Sequence, residues 1–169
     1  GIMKKYLLLI VLAMPARLLA DNILVSSLAD LQQAIGKAKP GDVIQLKSGV
    51  YTTTGDIVIN KTSTKSQPII ISAQGAVEIT GAGGFSFVSP AAYVTIKGFK
   101  FTHAASKART GSGTSFIRWT HNIFETPGTG DYLTIAGSDH EVDYNTFRNK
   151  DSLGKFIAIR GTGNQIAER

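Results

Sequence analysis

Side chains able to do chemistry gather toward the C-terminal end of this 169-residue chain. Asp139, Glu141 and Asp143 alternate along one segment, and Arg148, Lys150, Lys155 and Arg160 follow with Asp151 as the one acid among them. A facing pair of carboxylates is what a glycoside hydrolase needs. Acids at every second position are also what a strand with one wet face carries, and we read these three as solvated. The four cations form the candidate substrate-binding set, because positive charges spaced along a groove would meet carboxylates spaced along an extended anionic polymer. Long basic side chains also cover surfaces for solubility alone, and that reading stays open beside the first.

The remaining reactive types are scattered. His103, His121 and His140 show no metal-ligand spacing and are expected to be surface or turn residues. The glycines of GAGG (81–84) follow a strand but open no helix, so they make no phosphate loop. No Ser-His-Asp order stands out. The residues alone therefore assign no catalytic group and no metal ligand.

The elements that would position the cations are short strands. DVIQL (42–46), DIVIN (56–60), PIIIS (68–72), VEIT (77–80), YVTIKGFKF (93–101), SFIRW (115–119), YLTIAG (132–137) and KFIAIRG (155–161) are β-branched or aromatic and separated by Gly, Ser, Thr, Asn and Pro. Shifting the chain by 23 residues aligns Phe101 with Phe124 and Phe147, Ile96 with Trp119 and Val142, and Phe99 with Asn122 and Asn145. A repeat of that length built from strands and turns predicts a stacked architecture, an all-β right-handed parallel β-helix. Each Phe would point inward above the last, and Asn122 would stand over Asn145 in a ladder at a corner where Asn tolerates a left-handed backbone. HEVDYNTFRNK (140–150) then reads as two strands joined at a tight corner. A sandwich or jelly roll with coincidentally matched phenylalanines is the competing all-β arrangement.

One helix is signalled, over about 27–38. Ser27 precedes Leu28, Leu31, Ala34 and Ile35, an apolar stripe of helical period, with Asp30 in a loose capping box and Pro40-Gly41 as the stop. A solenoid exposes apolar surface at its ends, so this helix is expected to plug the first coil, with coils from about 42. The chain stops in mid-repeat at QIAER, and we expect a solenoid truncated at that end.

Residues 1–20 read as an export signal, with Met3-Lys4-Lys5 as the basic region, Tyr6 to Met14 as an apolar run too short to span a bilayer, and Ala20 before the cleavage point. Gly1 and Ile2 precede Met3, which suggests a reading frame extended upstream. The mature protein is then expected to be secreted or periplasmic and free of the membrane. Its loss of Lys4, Lys5 and Arg17 leaves 15 basic residues against 12 acidic and lowers the formal charge from +6 to +3. That suits an anionic polysaccharide as partner and falls short of a nucleic-acid binder's basic blocks. There is no cysteine, so the exported fold must be held by its core.

From Asn22 onward the chain resembles the polysaccharide lyases of family 6, the alginate lyases and chondroitinase B. ILVSSLADLQQAIGKAKPGDVIQLKSGVYT (23–52), PIIISAQGAVEITGAGGFSF (68–87), YVTIKGFKFTHA (93–104) and above all HEVDYNTFRNKDSLGKFIAIRG (140–161) carry the resemblance. It implies β-elimination on a uronic-acid polymer, with alginate foremost. A calcium ion would neutralise the uronate carboxylate, a lysine would take the C5 proton, and an arginine would assist as acid or stabiliser. The family's catalytic and calcium-binding residues are expected beyond residue 169, so none is assigned here. Residues 21–169 would be the N-terminal part of a catalytic domain, inactive alone. A non-catalytic β-helix that binds polysaccharide or acts as an adhesin is the alternative, and a β-helical hydrolase would need clustered aspartates.

Overall fold

The computed structural model describes residues 19–167. The expected export signal lies outside the described residues save for Leu19 and Ala20. The chain winds into a β-solenoid of about six turns with one short helix near its start. Its elements in order are β1 (Asn22–Val25), α1 (Leu28–Lys37), β2 (Val43–Thr53), β3 (Ile57–Ile59), β4 (Ile69–Gly81), β5 (Phe85–Phe87), β6 (Ala92–Phe101) and β7 (Ala108–Thr110). There follow β8 (Ser115–Thr120), β9 (Ile123–Phe124), β10 (Leu133–Ile135), β11 (Glu141–Asp143), β12 (Thr146–Phe147), β13 (Ile157–Ile159) and β14 (Gln165–Ala167).

The pairings among these strands are parallel. One sheet runs β1-β2-β4-β6-β8-β11-β14, with β9 and β12 continuing it around a corner, and a five-stranded sheet runs β13-β10-β7-β5-β3. The two enclose a thin apolar interior. Phe101 pairs in register with Phe124 and Phe124 with Phe147, with ring centroids 5.0 Å and 4.8 Å apart, so the three lie in one file as expected. Ile96, Trp119 and Val142 form a second file. Across the core Phe85 meets Phe99 edge-on at 5.3 Å, and Phe87 meets Trp119 at 5.6 Å. The offset rings place aromatic edges against faces, which favours close packing over loose apolar contact.

The 23-residue period holds only in the middle coils. Val43 pairs with Ile70, 27 positions on, and Leu133 with Ile157, 24 positions on. Extra residues are absorbed where the register shifts, as between Ser72 and Val77, so PIIIS and VEIT form one bent strand, β4, instead of two.

The helix caps the stack as predicted. Ser27 Oγ accepts from Asp30 N–H at 3.0 Å, Leu31 and Ile35 are buried, and Lys61 Nζ donates to Gly36 O at 2.8 Å near the C-terminal end. The helix also covers a sheet edge. Gln32 accepts from Val58 N–H through Oε1 and donates to Val58 O through Nε2, both at 2.9 Å, so one side-chain amide takes the place of a neighbouring strand beside β3.

The asparagine ladder is present, with one correction. The left-handed residues at its corner are His121 and Tyr144, each at φ 55°, and not the asparagines that follow them. Asn122 and Asn145 instead use their amides to bridge coils. Asn122 Oδ1 accepts from Phe99 N–H at 3.0 Å and its Nδ2 donates to Ile96 O at 3.0 Å; Asn145 repeats this one coil later with Asn122 N–H and Trp119 O. Where the backbone bends away and cannot pair, the side chain supplies both partners.

Candidate functional site

The outward face of the larger sheet carries a groove of about 600 Å³, in the size range of ligand clefts. Its floor follows from strand alternation. Thr95, Arg118, Glu141 and Gln165 pair in register on β6, β8, β11 and β14, on the side opposite the inward file of Ile96, Trp119 and Val142. Its rim is the corner that opens each strand. Tyr93 (φ 56°), Phe116 (φ 53°), Asp139 (φ 58°) and Gly163 (φ 69°) occupy equivalent left-handed positions in four successive coils. The rings of Tyr93 and Phe116 stack at 4.5 Å with planes 3° apart, and Lys65 closes the groove beyond them.

The floor's charges are organised around Arg118. Its guanidinium donates to Asp143 through Nε at 3.0 Å and Nη2 at 2.7 Å, and Nε lies 3.8 Å from Glu141. The Asp143 side chain is 2% exposed, so the reading of all three acids as solvated is corrected: Asp139 and Glu141 face water, but Asp143 does not. Burial pushes the Asp143 carboxyl up, yet hydrogen bonds from Arg118 and Thr120 and the guanidinium charge outweigh it and hold the group below the ordinary range. The same hydrogen bond to Asp143 raises Arg118 further.

Two histidines also depart from expectation. His121 stands exposed at a corner and stacks on Tyr144 at 4.9 Å, but His103 and His140 are buried. His140 Nδ1 accepts from Ile117 N–H at 3.0 Å, and its Nε2 donates to Ala136 O at 2.7 Å. That pattern fixes the neutral ring and gives His140 the coil-bridging role that Asn122 plays at the other corner. Asn164 takes it over one coil later, with Oδ1 accepting from His140 N–H at 2.9 Å. His103 donates from Nδ1 to Ala104 O at 2.8 Å, leaving Nε2 buried without a partner among the described residues. Burial lowers both histidines below their usual value. A sequence period identifies columns, but it does not say which polar member of a column turns inward.

None of the four candidate cations lines this groove: Arg148 directly follows β12, Lys150 and Lys155 lie between β12 and β13, and Arg160 directly follows β13. Lys150 Nζ donates to Gly130 O at 2.6 Å and sits 4.9 Å from the centre of the Tyr132 ring, which makes it a brace between coils. Tyr132 OH in turn donates to Arg148 O at 2.8 Å, while Arg148 Nε contacts Glu125 at 3.3 Å. A hydrogen bond from Asn149 is the main influence lowering Glu125, with Arg148 and Lys100 adding to it. Lys155 and Arg160 are exposed. Two of the four, Arg148 and Lys150, thus make contacts between coils. The Tyr93–Phe116 pair, which sequence reasoning missed, was marked only by its 23-residue spacing.

Among the described residues no cluster of three or more His, Asp or Glu is placed to hold a metal ion. The nearest approach, the acidic group on β11, has both Asp143 oxygens engaged by Arg118, which does not fit a calcium site needing several free oxygens.

The profile of the chondroitinase B family matches residues 25–168, nearly all of the described chain. The chain belongs to the chondroitinase B family. Among solved structures, this family member is similar to a PL6-family alginate lyase, AlyGC, with a TM-score of 0.68 and 20% identity, covering 83% of this chain and 21% of that one. It also matches the PL6-family polysaccharide lyase of Pseudopedobacter saltans (TM-score 0.45, 16% identity, 87% of this chain and 47% of that one). A third match is an alginate lyase of Paenibacillus sp. (TM-score 0.44, 15% identity, 85% and 76%). At such identities the likeness to AlyGC establishes the shared fold, and the chain spans about a fifth of AlyGC's length. No curated protein matches the chain in sequence.

Proposed function

We propose that this chondroitinase B family chain supplies the helix-capped first coils of an exported polysaccharide lyase acting on a uronic-acid polymer, alginate foremost. Membership of the family over residues 25–168 carries the reading. In β-elimination a base removes the C5 proton, the C5–H electrons form the C4–C5 double bond, and the C4–O bond breaks as the leaving oxygen takes up a proton. The C5 proton is weakly acidic until the adjacent carboxylate is neutralised, a task calcium would perform when bound. No base or acid is assigned among the described residues. Their part is to set the stack on which such residues would be held and to present the groove beside Arg118. The chain alone is expected to be inactive.

The test is release of unsaturated uronate, followed by its ultraviolet absorbance, from alginate and from dermatan sulfate. The complete gene product is expected to release it from alginate and this chain alone to release none. New reducing ends without ultraviolet absorbance would mean hydrolysis and sink the lyase reading. Polymer binding without any cleavage by the complete product would leave a non-catalytic polysaccharide binder.

A further inference from the structure

We propose that the stacked Tyr93–Phe116 pair is a sugar-binding platform, seating a pyranose unit of an acidic glycan chain in the groove between the rings, Lys65 and Arg118. The proposal rests on the reading of the protein as acting on a uronic-acid polymer, and it assigns a contact site whose lining includes none of the cations at 148–160.

The backbone is the first observation. Both aromatics occupy left-handed conformations, at φ 56° and 53°, where a bulky L-residue is disfavoured and glycine is at ease. Gly163 fills the equivalent corner two coils beyond Phe116, so the fold does not require a ring there. Strained residues persist where the surroundings or function hold them, and here the side chains face outward. Phe116 is 43% exposed, so burial in the core does not explain it.

The second observation is shape and chemistry. The rim steps down from two rings to the Asp139 carboxylate and then to Gly163, where an added Cβ would collide with Asp139 Oδ1. That leaves an apolar wall with open space beside it, bounded below by Thr95, Arg118, Glu141 and Gln165. A pyranose has the matching surfaces: C–H groups to lie against aromatic rings, and hydroxyls for the carboxylates and the amide. The exposed Lys65 suits a uronate carboxylate. Arg118 already holds Asp143, but 41% of its side chain stays exposed and can donate outward.

A rival explanation is that the rings only clasp neighbouring coils. Glycine substitution separates the two, because it relieves the left-handed corner while removing the platform. Binding of an oligomannuronate tetrasaccharide to the chain is measured by calorimetry, beside a cello-oligosaccharide of equal length. Wild type is expected to bind the acidic sugar in preference, and Tyr93→Gly and Phe116→Gly to weaken binding at least about tenfold without lowering the thermal midpoint. Lys65→Ala is expected to erase most of the preference for the acidic sugar. A fall in midpoint in both glycine variants would make the stack a structural clasp, and absence of oligomannuronate binding by wild type, or equal binding of the neutral sugar, would overturn the proposal. Because no turnover is read, loss of the platform and loss of the lyase reading remain distinct: the latter fails only if the complete product releases no unsaturated uronate.

Discussion

Asn145 stands directly on Asn122, its Oδ1 accepting from the Asn122 backbone N–H at 2.9 Å and from the Asn122 side-chain Nδ2 at 3.1 Å. One oxygen thus closes the gap between two coils at a corner where the sheet cannot.

Asn122 is 1% exposed, and removing its amide leaves Phe99 N–H and Ile96 O buried without partners. Each orphaned group costs about 1–3 kcal/mol, so Asn122→Ala should lose about 2–6 kcal/mol, read as a lower urea midpoint. Asn145→Ala should cost less, because Asn145 is only partly buried.

His103 and His140 are both depressed below an ordinary value of 6.5, chiefly by burial. Asp56 near His103 and Asp139 near His140 oppose the shift without reversing it. The unfolded chain therefore takes up protons first as pH falls. Their contribution to stability is complete above about pH 6.5 and is lost as pH falls from there through the folded values. Urea midpoints from pH 8 down to 5 should decline. His140→Asn, which puts at this corner the residue type that Asn164 provides one coil later, should flatten part of that decline.

The Arg118–Asp143 pair joins β8 to β11 beneath the groove. Arg118→Met should destabilise the chain by about 1–3 kcal/mol by stranding a carboxylate whose side chain is 2% exposed. This is below the cost for a wholly buried pair, because the guanidinium is 41% exposed and water screens it. Adding Asp143→Leu to that variant should restore most of the loss, a coupling that a double-mutant cycle by chemical denaturation measures.

Gln32 covers the edge of β3. Gln32→Ala should cost about 0.5–1.5 kcal/mol and leave Val58 N–H and Val58 O open to another strand. Light scattering after size exclusion should then show greater self-association than wild type; a variant with the wild-type mass profile would mean that the helix backbone shields the edge without this side chain.

The solenoid, its helical plug and the two inward files, one through Phe124 and one through Trp119, were legible in the residues alone. Those features are repeated, and inward side chains must match the coil beneath to fill a narrow core. The two-strand reading of 140–150 follows from the same constraint, with Tyr144 making the corner between β11 and β12. The roles of the polar residues became visible only in the folded chain. Whether His140 faces water or replaces a missing backbone partner depends on where Ile117 N–H lies one coil below. Whether Lys150 reaches a ligand or braces Gly130 depends on how a 23-residue repeat absorbs the extra residue that carries Leu133 to Ile157. Apolar periodicity fixes which residues point inward; the partners of outward and corner residues are set by loop lengths and backbone bends, which leave no periodic mark.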